Sequence, residues 1–169
     1  MTESNIPVSD EPLVEEQPTE VTVSKQGIVE QIEANLQELG PVQKDLEGNR
    51  LLVHSRCEVS ECNIGIYLHG DLLTVYLLLP IFVPPDRRSA MAEHAIKYNY
   101  KRLVPIMDLS PEDGQVAFRV TSFVSPNTFD ISVFRKMLFI VTAFAEQEFG
   151  NLLSLAFGES VEKERVQLN

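Results

Sequence analysis

The pattern of hydrophobic and polar residues predicts a helix followed by an antiparallel meander. From Ser24 to Gly40, apolar side chains recur every three or four residues, which is the spacing of one helix face. Ser24 is a suitable N-cap for this helix, and Gly40 is a suitable C-terminal stop. Strand-like stretches come next, and Gly70 and Asp71 join the last two in a tight hairpin. The three predicted strands cover about residues 51–57, 63–69 and 72–80.

The third predicted strand is apolar on both of its faces. Side chains of a strand point alternately to its two sides, so every second residue belongs to the same face. One face carries Leu73, Val75, Leu77 and Leu79, and the other carries Leu72, Thr74, Tyr76 and Leu78. Because neither face is polar enough for open solvent, we expect both faces to be covered.

Two prolines separate this meander from a second helix and a second hairpin. Pro84 and Pro85 end the apolar strand and suit the first turn of a helix, which is expected over residues 85–100. Beyond it, the turn sequence SPEDG joins two strand-like segments, RLVPIMDL and QVAFRVTSF. A third helix is expected from about residue 130 to Phe149. The predicted fold is α+β, a five-stranded antiparallel sheet with three helices in the order α-β-β-β-α-β-β-α.

The third helix carries more apolar surface than one packing face requires. Met137, Ile140 and Phe144 lie away from the centre of its main apolar stripe. Tyr76 and Leu78 form part of the second face of the apolar strand. Apolar patches left on a monomer often mark interaction sites, so these five residues are the predicted partner or dimer interface.

Composition sets the size of the core and the sign of the charge. The chain of 169 residues is 44% hydrophobic, enough for one core, and its formal net charge is −11. An acidic chain is unsuited to neutralising phosphates or to binding an anionic membrane, so neither nucleic acid nor membrane is an expected partner. The sequence starts without the basic and apolar stretches of a secretory signal, which favours a cytoplasmic protein.

The two ends of the chain differ in composition from its middle. Residues 1–20 hold six acidic residues, three prolines and no Lys or Arg, which is typical of a flexible acidic tail. Residues 21–158 are expected to form a single domain, followed by a charged C-terminal tail over 159–169. The acidic tail also leaves open a role as a nucleic-acid mimic or as a regulator of a basic partner.

Four possible zinc ligands fall within sixteen residues. They are His54, Cys57, Cys62 and His69. Positions 54 and 57 are an odd number apart, as are positions 62 and 69, so each pair points to opposite faces of regular strands and cannot converge. The cysteines are therefore interpreted as buried or hairpin-edge thiols, and no metal or cofactor is expected. A redox pair stays open, because a short hairpin could bring the two thiols within bonding distance.

The sequence contains no recognisable catalytic signature. A G-x-S-x-G elbow and phosphate-binding glycine loops are absent, and His94 is expected to be a solvated residue of the second helix. Glu112 and Asp113 are explained by turn preference. Arg87 and Arg88 lie near a helix N-terminus, where they could bind an anion or simply face solvent. We therefore expect a protein that is not an enzyme.

Three stretches together resemble one known family. They are the strand and helix start LLLPIFVPPDRR, the end of the second helix at Asn99 and Tyr100, and the hairpin MDLSPEDGQVAFRV. In this order, over about residues 25–157, they resemble the YbjN family, whose members have the fold of type III secretion chaperones. The chain departs from the family pattern at Val104 and Pro105, where members tend to have a small residue or glycine. The resemblance implies a dimer-forming module for protein binding, chaperone-like support or regulation, with no catalytic residues.

The sequence therefore favours a non-enzymatic, cytoplasmic protein-binding module that acts as a homodimer on an unidentified protein partner. An alternative from a different class stays open. It is a small-molecule- or metal-sensing regulator that would use His54, Cys57 and His69, or Arg87 and Arg88.

Overall fold

A computed structural model describes residues 25–45, 48–125, 127 and 129–158. The predicted tails, 1–20 and 159–169, and the predicted N-cap Ser24 lie outside these residues, so the expectations for them stay predictions. Within the described part of the chain the helices are α1 (Lys25–Leu36), α2 (Arg88–Tyr100) and α3 (Ile131–Phe157). The strands are β1 (Val42–Lys44), β2 (Arg50–Arg56), β3 (Glu61–His69), β4 (Leu72–Phe82), β5 (Ile106–Leu109) and β6 (Gln115–Phe123).

The strands form one open antiparallel sheet with the order β1-β2-β3-β4-β6-β5. The α+β class and the three helices are confirmed, but the prediction of five strands was wrong, because the described residues form six strands in the chain order α-β-β-β-β-α-β-β-α. The additional strand, β1, has three residues and pairs Val42 with Val53 of β2. A segment this short is held by its pairing with β2 and has too few residues to show a strand periodicity of its own.

The three helices all pack on the same face of the sheet. The central strand β4 lies at the middle of this contact, and its inward-facing side chains have no exposed surface. These side chains are Leu73, Val75, Leu77, Leu79 and Ile81. Helix α2 joins the same core, since the ring of Tyr98 meets Phe118 of β6 edge to face at 5.7 Å between centroids. The core therefore lies between one side of the sheet and the three helices.

The three helices begin or end at residues that differ from the predicted ones. Helix α3 runs to Phe157 instead of Phe149, because Leu152 and Ala156 extend its buried stripe by two turns. Its N-cap is Asp130, whose carboxylate accepts a hydrogen bond from the Ser132 backbone N–H at 2.8 Å. Helix α1 ends earlier than predicted, at Leu36, before the exposed Leu39. Helix α2 starts at residue 88 instead of 85.

One asparagine attaches the end of α2 to the edge strand β5. The Asn99 side-chain amide donates to the Met107 carbonyl at 3.0 Å, and its oxygen accepts the Met107 N–H at 2.8 Å. Both backbone groups of Met107 are thus satisfied by one side chain. The strand β5 begins just before, at Ile106, after the cis peptide bond between Val104 and Pro105.

A close backbone contact joins the end of β4 to the turn between β5 and β6. The Val83 N–H donates to the Gly114 carbonyl at 2.8 Å. Gly114 has a φ of +78°, and a Cβ added to it would lie 2.4 Å from the Val83 carbonyl oxygen. Only glycine fits this position, because a side chain would face both a strained backbone conformation and a clash with backbone atoms.

Replacing Gly114 with alanine should therefore destabilise the fold strongly. We expect Gly114→Ala to lower the free energy of unfolding by about 3 kcal/mol or more, measured by urea denaturation. Gly70→Ala is the matched control, because Gly70 also has a positive φ, +59°, but its added Cβ meets nothing within 4 Å. The control should lose only about 1–2 kcal/mol, the cost of the left-handed conformation. Equal losses in the two variants would contradict the role of the contact.

Candidate functional site

The sheet face opposite the helices is covered by none of the described elements. Its outward side chains include large apolar groups that come from four neighbouring strands. They are Leu52, Tyr67, Leu72, Tyr76, Leu78, Phe82 and Phe123. We call this set the open sheet face. Phe123 is 83% exposed and Phe82 is 50% exposed, which is unusual for aromatic side chains on a sheet.

The centre of the open sheet face is built around a glycine. Gly65 of β3 lies directly between Leu52 of β2 and Tyr76 of β4 in the sheet register. The missing side chain leaves room for the Tyr67 ring, which meets the Tyr76 ring edge to face at 5.3 Å between centroids. The Arg50 guanidinium lies 5.4 Å from the centroid of the Tyr67 ring, a cation–π contact. The result is a shallow aromatic surface with a cation at its border.

Polar groups continue across the same face towards β5. Thr74 and Thr121 share a hydrogen bond of 3.0 Å between their hydroxyl oxygens. The Arg119 guanidinium donates to the Asp108 carboxylate, and this hydrogen bond raises the pKa of Arg119. Arg119 and Asp108 are therefore paired with each other at this end of the face. The apolar side chains are the groups that remain available to a partner.

The five predicted interface residues fall into two separate places. Tyr76 and Leu78 lie on the open sheet face, half-buried by their neighbours. Ile140 and Phe144 lie half-buried on α3, on the other side of the molecule, and Met137 is 3% exposed within the core. A partner that left the core intact would not reach the Met137 side chain.

Sequence reasoning missed most members of the open sheet face. Leu52, Phe82 and Phe123 were not predicted, although Leu52 and Phe82 alternate with buried neighbours in their strands. The signal that identifies them is strand parity, since the residues next to a fully buried position point the other way. On α3, the 70% exposed Phe139 was not predicted either.

The two histidines among the four possible zinc ligands lie far apart. His54 points out on the open sheet face, where its ring shares a 2.9 Å hydrogen bond with Asn63 and lies 3.5 Å from the Glu61 carboxylate. His69 is six residues along β3 from Asn63, about 20 Å away at the rise of a strand. Among the described residues, no group of three or more His, Cys, Asp or Glu is arranged to hold a metal ion.

The two cysteines lie beside a cavity between the β2–β3 hairpin and α3. The cavity has a volume of about 370 Å³ and includes Cys57 in its wall, while Cys62 is buried in the core and is not part of the wall. The neighbouring Cys62 thiol lowers the pKa of Cys57, whereas Cys57 and burial raise the pKa of Cys62. Burial and the Glu146 carboxylate raise the pKa of Cys57, but they do not cancel the lowering caused by Cys62.

A polar cluster joins α2 to α3 and includes the residue expected to be solvated, His94. This histidine is half-buried, and its Nε2 lies 3.8 Å from a carboxylate oxygen of Glu148. Arg102 reaches the other oxygen at 3.7 Å and stacks over the Tyr98 ring at 4.2 Å from the centroid. Burial raises the pKa of Tyr98 to about 12, so its hydroxyl stays protonated at neutral pH. The cluster connects two helices and forms no cleft of its own.

Arg87 and Arg88 differ in their contacts. The Arg88 guanidinium donates to the carbonyl oxygens of Val83 at 3.1 Å and of Pro111 at 3.0 Å. Arg87 has its Nε 4.0 Å from the Asp86 carboxylate and is exposed. Arg88 is therefore engaged in holding the junction between β4, α2 and the β5–β6 turn.

Comparisons with known proteins add no family to these observations. No protein-family model matches the chain, and no curated protein matches it either. The resemblance to the YbjN family therefore stays a prediction beyond the α+β fold itself. Within the described residues, no helix combines the length and the apolar character needed to cross a membrane.

The different contacts of the two arginines can be tested by truncation. We expect Arg88→Ala to lower the free energy of unfolding by about 1.5–3 kcal/mol, because it leaves partly buried carbonyls without their charged donor. The neighbouring variant Arg87→Ala should change stability by less than about 0.5 kcal/mol. Urea denaturation of both variants measures the difference. If both variants lost a similarly small amount of unfolding free energy, a structural role for Arg88 would be contradicted. Anion binding by Arg88 would then be the remaining hypothesis.

Proposed function

We propose that this protein is a non-enzymatic, protein-binding module of a chaperone-like or regulatory kind that acts as a homodimer. The observation that carries the proposal is the open sheet face. Its large apolar side chains stay in contact with solvent although three helices cover the other side of the sheet. A cytoplasmic location remains part of the same proposal.

The proposed ligand of the open sheet face is an apolar segment of a partner protein. A sheet with one solvated face normally carries polar side chains there. Here Leu52, Tyr67 and Tyr76 occupy the centre of that face, and the nearby Arg119 is already paired with Asp108. A partner would thus gain most from apolar contacts with the aromatic surface, and little from new ion pairs.

The proposed dimer contact is the outer surface of α3, around Ile140 and Phe144. The strongly exposed Phe139 is next to Ile140 and enlarges the apolar area. This surface points away from the sheet, since the opposite side of α3 supplies Phe134, Val141 and Phe149 to the core. A second copy on α3 would therefore leave the open sheet face accessible to a client.

The YbjN resemblance is compatible with this proposal and supplies its chaperone-like element. Two of the motifs behind the resemblance have structural roles in this chain: Asn99 binds both backbone groups of Met107, and Gly114 allows the close contact with Val83. The alternative of a metal-sensing regulator has less support, because His54 and His69 lie far apart on β2 and β3. We therefore give preference to protein binding.

Client binding can be tested with a charge placed on the open sheet face. The double variant Leu52→Asp, Phe123→Asp should weaken the binding of an alkylated, permanently unfolded polypeptide by about tenfold, as measured by fluorescence anisotropy. The control double variant Ile96→Asp, Tyr100→Asp puts the same two charges in place of exposed apolar residues of α2, which belongs to the other layer. It should bind like the native protein. Equal affinities of all three proteins, or no binding by the native protein, would contradict the proposed client surface.

Dimerisation can be tested independently by light scattering at micromolar concentration. The native chain should be a dimer, and Ile140→Glu should be a folded monomer, because a carboxylate would be buried in the contact without a partner. The control Gln147→Glu adds a carboxylate to an exposed position of the same helix and should stay dimeric. A monomeric native chain, or a dimeric Ile140→Glu variant, would refute the proposed contact.

A further inference from the structure

The β2–β3 hairpin brings its two cysteines together. Cys57 follows the last residue of β2, and its N–H donates to the Ser60 carbonyl at 2.9 Å, so residues 57–60 form the turn. Cys62 lies two residues further along β3, opposite Ser55 of β2. The two cysteines are thus diagonal neighbours across an antiparallel pair, close enough for one side chain to affect the other. Both are free thiols in the structure.

The two thiols differ in their access to solvent. Cys62 is 2% exposed and belongs to the core, packed on the side of the sheet that α3 covers. Cys57 is half-buried and forms part of the cavity wall. A reagent in the cavity would therefore meet the Cys57 sulfur first, with the Cys62 sulfur behind it. This arrangement has an attacking position and a resolving position.

The cavity next to Cys57 has the size and the lining of a small-molecule site. Its volume, about 370 Å³, is at the lower end of the range for small ligands. Apolar walls come from Leu138 and Phe139 of α3, and cations come from Arg56 and Arg135. Arg135 is positioned by a 2.8 Å hydrogen bond from its Nε to the Asn35 side-chain oxygen. Glu58 and Glu146 add carboxylates at the same cavity.

We propose that Cys57 and Cys62 form a thiol-disulfide exchange site for small peptide disulfides that carry carboxylates, such as oxidised glutathione. The thiolate of Cys57 attacks one sulfur of the small disulfide, a protein–small-thiol bond forms, and the first small thiolate leaves. Cys62 then attacks the Cys57 sulfur and expels the second small thiolate, which takes up the Cys62 proton. Two electrons pass from the protein thiols to the small disulfide, giving one Cys57–Cys62 disulfide and two small thiols.

Cys62 and the two arginines of the cavity favour the first of these steps, and the Glu146 carboxylate acts against it. The neighbouring Cys62 lowers the pKa of Cys57 and so favours its thiolate, which is the nucleophilic form of a cysteine. Arg56 and Arg135 supply positive charge for the carboxylates of the reagent. This activity goes beyond the proposed protein binding and does not depend on it, because it uses neither the open sheet face nor a second copy of the chain.

The experiment is a timed reaction of the full chain with oxidised glutathione, read by intact-protein mass spectrometry. The native protein should lose the mass of two hydrogens as its disulfide forms. Cys62→Ala should instead accumulate one glutathionyl adduct, and peptide mapping should place it on Cys57. Cys57→Ala should react at least about tenfold more slowly, because its remaining thiol is buried. Circular dichroism of each variant checks that it is folded.

The cavity is tested separately from the thiols. Arg135→Ala should slow the reaction with oxidised glutathione by about threefold or more, whereas Lys136→Ala, on the next residue of α3, should not. With the uncharged hydroxyethyl disulfide, Arg135→Ala and the native protein should react equally fast. The proposal is overturned if the native protein forms no disulfide, if Cys57→Ala reacts as fast as Cys62→Ala, or if Arg135→Ala leaves the glutathione reaction unchanged.

Discussion

The one-sided covering of the sheet is the constraint from which the other features of this molecule follow. Strand β4 places Leu73, Val75, Leu77, Leu79 and Ile81 against the helices with no exposed surface. Burial of each such side chain contributes about 1.5–3 kcal/mol, so the covered side of β4 is a large part of the stabilising free energy. The residues of β4 that alternate with them point to the opposite side of the sheet, which no described element covers. The apolar side chains of β4 on the open sheet face are therefore exposed because helices cover this apolar strand on one side only.

A second constraint fixes how the helices meet this sheet. At the end of β4, Val83 and Gly114 approach at backbone distance, and Arg88 binds the carbonyls around them. At the other end of α2, Asn99 binds Met107 of β5. Helix α2 is thus attached at both ends to backbone groups, while its middle faces α3 through His94 and Glu148. These contacts fix the position of α2 over β5 and β6.

The sequence predicts the parts of this fold that have strong local periodicity. The three helices, the hairpin at Gly70 and the central strand follow from apolar spacing and turn residues. Strand β1 does not, because three residues show no period and depend on their pairing with β2. The candidate sites are harder to predict. Tyr76 and Leu78 were identified from β4 alone, whereas Leu52 and Phe123 join them only through the register of three other strands. The Cys57 cavity likewise requires α3 to cross the hairpin, which no local pattern encodes.

The two proposals meet at a single residue of α3. Phe139 lines the cavity beside Cys57, and it also adjoins Ile140 on the proposed dimer surface. The transient mixed disulfide on Cys57 would form in the cavity that the Phe139 ring lines. The open sheet face lies on the other side of the sheet, so client contacts there would be unaffected by the same modification. The proposed thiol site and the proposed dimer contact therefore share the Phe139 side chain, whereas the proposed client surface is separate from both.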